Sequence, residues 1–236
     1  ISHRINDLLY YQNSISRSLS RFLKDEEVET GIYEILKDIL AFYRAGRAYI
    51  FETDEENHFY NCTYEVVAEG VKAEINKLQE IPVDFMPWWT SQILGKKPIL
   101  FETLKPMPGM GQGEYEVLSR QGIKALMATP LVVNDHVYGF MGVDLVDGSA
   151  SWSDEDYRWL SSLANVISIC LELRRAKEKV IFEQAALARS ERLFKNIFAN
   201  IPAGVEIYDK EGNLVDLNER DMDILGISDK SEVIGL

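Results

Sequence analysis

Few side chains in this sequence have the type and spacing that chemistry requires. His58 and Cys62 lie four apart on an alternating segment, so they share one strand face. Imidazole and thiolate both ligate metals, but two ligands do not complete a tetrahedral site, and His3 and His136 stand in no matching cluster. No metal is expected, and Cys62 reads as a small buried hydrophobe. Gly109-x-Gly111-x-Gly113 has the glycine content of a phosphate loop. It lacks the preceding strand and the dinucleotide spacing, and no Gly-Lys-Ser/Thr occurs, so a mobile lid is the expectation. Asp154 and Asp156 open a long helical pattern, where carboxylates favour the helix N-terminus, so capping explains them better than acid–base chemistry does. Asn61-Cys62-Thr63 matches a glycosylation acceptor but sits inside a strand pattern. There is no Gly-x-Ser-x-Gly, and 3 histidines leave little room for a nucleophile–base set. No catalytic residue is expected.

Aromatic residues are the more distinctive feature. Trp88, Trp89, Phe101, Tyr115 and Tyr138 flank loops and short helices between strands. One reading is ordinary core and lid packing. The sharper one is an apolar pocket over a sheet, closed by the glycine-rich segment. The candidate ligand-binding set is Phe51, Tyr64, Trp88, Trp89, Phe101, Tyr115, Met127, Thr129 and Tyr138.

The elements that must position these groups follow from periodicity. The chain has 236 residues, 46% hydrophobic and 27% charged, which excludes wholesale disorder. Its net charge of −13 repels phosphate backbones, so nucleic acid is not an expected partner. No run approaches the ~18 apolar residues of a membrane helix, and membrane contact is not expected. With 2 cysteines set far apart, a reducing compartment fits and a cytoplasmic location is expected. The pattern at both ends is interrupted, and we expect a piece of a longer polypeptide.

Residues 1–24 predict a helix whose seam includes Ile5, Leu8, Ile15 and Leu19 at heptad spacing. A second helix carries Val28, Ile32, Ile35, Ile39 and Phe42 and stops at Gly46. Residues 47–52 and 58–67 read as strands about an acidic turn; Tyr60, Cys62, Tyr64 and Val66 alternate and should share one buried face. A charged helix is expected over 68–78, short helices over 88–94 and 114–121, and a short strand over 98–101. Residues 123–133 and 137–146 predict a hairpin turned by Asn134-Asp135. A helix then runs from Ser153 or Asp154 past residue 190 without Gly or Pro. Its seam reads Val166, Cys170, Leu173, Lys177, Val180, Gln184, Leu187, Glu191, Phe194 and Phe198. Apolar heptad positions on so long a helix call for a second chain, so a homodimer is expected, with Val166, Cys170, Leu173, Val180, Leu187 and Phe194 at its interface together with the first seam. A second hairpin and a short helix close the sequence.

The order helix, hairpin, helices, hairpin, long helix resembles a GAF domain over about residues 25–173. The resemblance is carried by Ile123-Lys-Ala-Leu-Met-Ala-Thr-Pro-Leu131, Val137-Tyr-Gly-Phe-Met-Gly-Val143 and Trp152-Ser-Asp-Glu-Asp-Tyr-Arg-Trp-Leu160. It implies an α+β fold: an antiparallel sheet of five or six strands flanked by helices, with a small-molecule pocket on one face. Asn76-Lys77 matches part of the cyclic-nucleotide pattern, but no Phe-x-x-x-Asp-Glu follows; Cys62 is followed by Thr63 rather than the His of bilin-binding members. Cyclic nucleotide and bilin are therefore not expected as cofactors, and His58 and His136 are poor candidates for haem. A methionine-sulfoxide reductase activity would need accessible low-pKa cysteines, and Cys62 and Cys170 are expected buried. Residues 190–236 resemble the opening of a PAS domain, on Glu191-Arg-Leu-Phe194, Ile201-Pro-Ala-Gly-Val205, Tyr208-Asp-Lys-Glu-Gly-Asn-Leu214, Asn218-Glu219 and Leu225-Gly226. The implied layout is a signalling helix (1–24), a GAF-like sensor (25–173), a coiled-coil linker (174–199) and a truncated PAS start (200–236). Together they resemble the input half of a bacterial sensor histidine kinase or, alternatively, of a diguanylate cyclase. Ser2-His3-Arg4 is similar to a phospho-accepting helix but lacks the acidic residue and proline that usually follow the histidine. The expected function is a non-catalytic sensor relaying through a dimeric coiled coil; a ligand-free spacer is the alternative.

Overall fold

Short segments rich in apolar and aromatic residues, set between turns in the first two thirds of the chain, pair into one sheet. The computed structural model describes residues 28–54, 56–106 and 109–234. The six strands are β1 (Arg47–Thr53), β2 (Phe59–Val67), β3 (Ile81–Pro82), β4 (Ile99–Phe101), β5 (Ala125–Val133) and β6 (His136–Leu145). Their order is β3-β2-β1-β6-β5-β4, and every pairing is antiparallel. The β5–β6 turn places Asn134 at φ 48° and Asp135 at φ 67°, the paired left-handed geometry that two-residue hairpins use and that these two residue types tolerate.

One face of the sheet is covered by α1 (Val28–Tyr43) and the first part of α4 (Asp154–Asn200). Ile32, Leu36 and Ile39 of α1 and Leu160, Ile167 and Leu171 of α4 meet Ala48, Ile50, Met127, Met141 and Val143 of the sheet. Helix α4 starts on a reciprocal cap. Ser153 Oγ accepts from the Asp156 amide at 3.1 Å, and Asp156 Oδ2 accepts from the Ser153 amide at 2.8 Å. The other face is covered by α2 (Pro87–Leu94), α3 (Gln112–Arg120) and the segments beside them, through Trp89, Ile93, Leu118 and Ile123.

The chain divides between Arg174 and Arg175 into two compact units. The second holds the later turns of α4, the hairpin β7 (Glu206–Tyr208) and β8 (Leu214–Leu217), and α5 (Glu219–Leu225). Asn218 caps α5 by accepting from the Asp221 amide at 2.9 Å, and Gly226 ends it at φ 70°. Among the described residues no helix is long and apolar enough to cross a membrane.

Two expectations are corrected here. The charged helix over residues 68–78 does not form: Gly70 turns the chain at φ 79°, and only a single 3-10 turn, Ile75–Lys77, follows. Its amides are taken by a side chain instead, Glu65 Oε2 accepting from Glu74 at 2.9 Å and from Ile75 at 2.9 Å. The second correction concerns β2. Ile50 pairs with Tyr64 and Phe51 with Cys62, so Thr63 is an extra residue in the ladder. This bulge reverses the alternation. Tyr60 and Cys62 face the α2–α3 side, whereas Tyr64 faces the α1–α4 side.

Candidate functional site

A cavity of about 200 Å³ lies between the sheet and the layer of α2 and α3. Strand alternation sets its floor. Arg47, Tyr49 and Phe51 of β1 project to this side, opposite Asp144, Gly142 and Phe140 of β6 in the pairing register. The register thus builds three rungs. Phe51 and Phe140 stack at 4.7 Å and 12° between planes. Tyr49 lies over Gly142, where an added Cβ would come within 2.8 Å of the ring. Arg47 and Asp144 form an ion pair at 3.5 Å, both nearly excluded from solvent. Tyr60 and Cys62 extend the floor along β2, and the bulge at Thr63 brings Glu65 to the same side.

Ile81 of the edge strand β3 also lines the cavity, and the roof comes from Met86 and Trp89 together with Leu118, Gln121 and Ile123. Trp89 meets Phe140 edge-on at 5.3 Å. Its position is fixed by Glu114, whose Oε1 accepts from the Trp89 amide at 3.0 Å and whose Oε2 accepts from the Gly111 amide at 2.8 Å. That carboxylate is buried, so one side chain ties the starts of α2 and α3 together.

The polar end of the cavity is sparsely bonded. Arg47 Nη2 donates to the Gln121 carbonyl at 2.6 Å. Arg47 Nε and Asp144 Oδ1 are buried with no hydrogen-bond partner, as is the indole Nε1 of Trp89. Burial pushes the Asp144 carboxyl up to about 7; Arg47 opposes the shift and Glu65 adds to it. Burial and the nearby Asp144 charge raise Tyr49 well above the usual phenol range. Burial pushes the Cys62 thiol up to about 12, which leaves it protonated and a poor nucleophile at neutral pH.

Of the expected ligand-binding residues, Phe51 and Trp89 line this cavity. Trp88 and Phe101 share the same hydrophobic cluster, 6.1 Å apart, without reaching the cavity, and Tyr115 on α3 is half-buried away from it. Tyr64, Met127 and Tyr138 belong to the opposite face, packed with α1 and α4. Thr129 shares the strand parity of Met127 and Leu131 and so belongs there too. Period-two alternation sends Met127 and Thr129 to that side, and the bulge sends Tyr64. Tyr138 is likewise an extra residue in its ladder, between Val137 and Gly139. The glycine-rich segment does not close the cavity. Gly109 instead lies against Trp88, where a Cβ would come within 3.1 Å of Cδ1. Arg47, Asp144, Glu65 and Gln121 were not anticipated as site residues. A charged residue opening a strand, Arg47, and an acid inside an apolar one, Asp144, were the signals that would have found them.

The expected dimer seam divides. Ile5, Leu8, Ile15 and Leu19 lie outside the described residues. Cys170 is buried and Val166 half-buried, because these turns of α4 pack on their own sheet. Leu173, Val180, Leu187 and Phe194 are exposed. His58 is at the surface beside Asp54 and Glu56, and no group of three or more metal-ligating side chains occurs among the described residues.

The six-strand antiparallel sheet, flanked by helices and enclosing an aromatic cavity on one face, is the GAF arrangement. The chain belongs to this family: the GAF domain family model matches residues 27–171. A curated relative is the methanogenesis regulatory histidine kinase FilI of Methanothrix harundinacea, 26% identical over 149 residues. The match takes in 61% of this chain and only 16% of the kinase. Solved structures of similar fold include the PixJ GAF domain of Thermosynechococcus elongatus in its blue-light-absorbing form. It has a TM-score of 0.54 and 19% identity, over 69% of this chain and 94% of that one. A phycocyanobilin-bound GAF domain from a cyanobacterial phytochrome has a TM-score of 0.59 and 13% identity, over 71% of this chain and 96% of that one. The chromophore-binding domain of the R. palustris bacteriophytochrome RpBphP3 matches at TM-score 0.59 and 11% identity, over 72% of this chain and 63% of that one. At these identities the likeness is one of fold.

Proposed function

We propose that this GAF domain is the non-catalytic sensory input module of a signal-transduction protein, in which the cavity takes a small ligand and α4 carries the response onward. One observation supports the reading above others. Consecutive residues of β1 serve the cavity and the helix: Phe51 faces the cavity, and Glu52, on the opposite side, accepts from Arg174 of α4 at 2.6 Å. A ligand that displaces β1 therefore acts on α4 through one strand.

The exposed Leu173, Val180, Leu187 and Phe194 keep the heptad spacing, and we infer that they pair with a second copy of this chain in a parallel coiled coil. Lys177, Gln184 and Glu191 interrupt the apolar positions and keep that pairing weak enough to switch. The kinase relative supports a histidine kinase as the parent protein. We infer a cytoplasmic, two-component one, with residues 200–236 as the start of a PAS domain by their sequence resemblance; a diguanylate cyclase parent is the second choice. Bilins, carried by several structural neighbours, are not the ligand proposed here: a cavity of about 200 Å³ is smaller than the ~300–1,000 Å³ of drug-sized sites.

The test has two readouts. Light scattering of the purified chain at micromolar concentration should give a dimer, and a monomer would overturn the coiled-coil relay. Mass spectrometry of material released by denaturing freshly purified protein should show a stoichiometric small molecule, or the protein should bind one added later. A chain that does neither is a spacer.

A further inference from the structure

We infer that the ligand of this cavity is a small, uncharged aromatic heterocycle whose edge presents an N–H beside a C=O, as a lactam does, with the C=O accepting from Arg47 Nε and the N–H donating to Asp144 Oδ1. The inference rests on the sensory reading above and names the class of molecule that the cavity would take.

Three observations carry it. First, the cavity has aromatic rings as its principal apolar wall: Phe140 stacks with Phe51 and meets Tyr60 and Trp89 edge-on, each at 5.3 Å. Such a box favours a flat π-system over an aliphatic body. Its volume of about 200 Å³ suits one or two fused rings. Second, Arg47 and Asp144 are 5% and 1% exposed, both line the cavity, and each keeps one polar atom without a partner. One of these atoms is a donor and the other an acceptor. Groups so buried are normally satisfied, and a ligand offering the complementary pair would satisfy both at once. A second acceptor on the ring would meet the unpartnered indole N–H of Trp89.

Third, above pH 7, where Asp144 is ionised and the probe series is to be read, the site holds no spare charge. Arg47 is matched by Asp144, Lys77 by Glu74 at 2.7 Å, and the Glu65 carboxylate is taken up by backbone amides. An anionic or cationic ligand would enter with no counter-charge to receive it, whereas a neutral one keeps the balance.

The test uses the intact chain and 2-quinolinone as the probe, with N-methyl-2-quinolinone and quinoline for comparison, by isothermal titration calorimetry. The N-methyl compound keeps the ring and carbonyl but replaces the N–H facing Asp144; quinoline has no lactam edge. The expected result is binding of 2-quinolinone with both comparators at least tenfold weaker. Gly142→Ala, which drives the Tyr49 ring into the cavity, should abolish that binding. Because the probe series is read on the unaltered chain, the result does not depend on how well the variant folds. Equal affinity for all three compounds would overturn the donor–acceptor edge while leaving a cavity that accepts aromatic bodies; water would then satisfy Arg47 and Asp144. Binding by none of them would overturn the inference, and the released-ligand measurement above would decide separately whether the cavity is a ligand site at all.

Discussion

The guanidinium of Arg174 donates to Glu52 Oε2 at 2.6 Å and, through a second nitrogen, to the Tyr64 hydroxyl at 2.7 Å. Glu52 is 5% exposed, and the guanidinium also lies over the Tyr64 ring, 6.0 Å from its centre. A charge-assisted bond in so dry a setting is strong, and its forked geometry is specific to arginine. Glu52 follows Phe51 directly, so this contact joins the cavity strand to α4.

Replacing Arg174 should therefore affect more than charge. Arg174→Ala is expected to destabilise the domain by about 2–3 kcal/mol, and Arg174→Lys by about 1–2 kcal/mol, because an ammonium cannot serve both partners in the same geometry. Chemical denaturation of the two variants and of Glu52→Gln in a double-mutant cycle checks this. A coupling energy near zero between positions 52 and 174 would show that the contact carries nothing.

Gly142 leaves room for Tyr49, since a Cβ would lie within 2.8 Å of the ring. Gly142→Ala is expected to cost about 1–3 kcal/mol through overpacking and to push the ring toward the cavity. Gly139→Ala should be worse. Gly139 has φ 141°, and its Cβ would be driven into the Phe51 carbonyl oxygen, a backbone atom that cannot step aside. Thermal melts of the pair rank the two effects.

Asp144 gives the domain a pH dependence of defined sign. Its folded-state carboxyl titrates near 7, above the ~3.9 of an unfolded aspartate, so the folded state holds the proton more tightly. Stability from this group is full below about pH 4 and is lost as the pH rises toward 7. Arg47, which lowers it, and Glu65, which raises it, are the ionisable groups that act on it. Relative to Asp144→Asn, the wild-type chain should lose on the order of 2–4 kcal/mol between pH 4 and 8. Denaturation midpoints for both proteins across that range measure the difference; parallel curves would mean that Arg47 holds Asp144 ionised throughout.

Glu114 should behave as a structural clasp. Both of its oxygens accept backbone amides, those of Trp89 and Gly111, so Glu114→Gln leaves one amide facing an NH2 group. We expect a loss of about 1–2 kcal/mol for Gln and about 2–3 for Ala. Hydrogen exchange at the Trp89 and Gly111 amides should rise by more than the global change in stability.

The seam of α4 is testable without touching the sheet. Val180, Leu187 and Phe194 are each more than half exposed. Leu187→Glu is expected to abolish self-association while leaving the melting of residues 27–171 unchanged within about 0.5 kcal/mol. Analytical ultracentrifugation beside circular dichroism separates the two outcomes.

The features that the amino-acid order determined by itself are the local ones. Short apolar runs between turn residues marked β1, β5 and β6; Asn134-Asp135 marked the hairpin turn; Ser153 and the absence of Gly or Pro marked a helix of 47 residues. Each depends on neighbours within a few positions, where backbone preference and side-chain period act directly. Tertiary structure decided which face each strand residue meets. Thr63 and Tyr138 look like ordinary members of their strands, yet each is the unmatched residue of a bulge, and a bulge exists only relative to a partner strand. That is why Tyr64 went to the helical layer and Glu65 to the cavity. The pairing of Arg47 with Asp144 spans 97 positions and arises from strand register, which no short-range pattern encodes. The glycine-rich segment was misread for the same reason: its composition carries no long-range information, and only tertiary packing set Gly109 against Trp88 and left residues 109–113 out of the cavity lining.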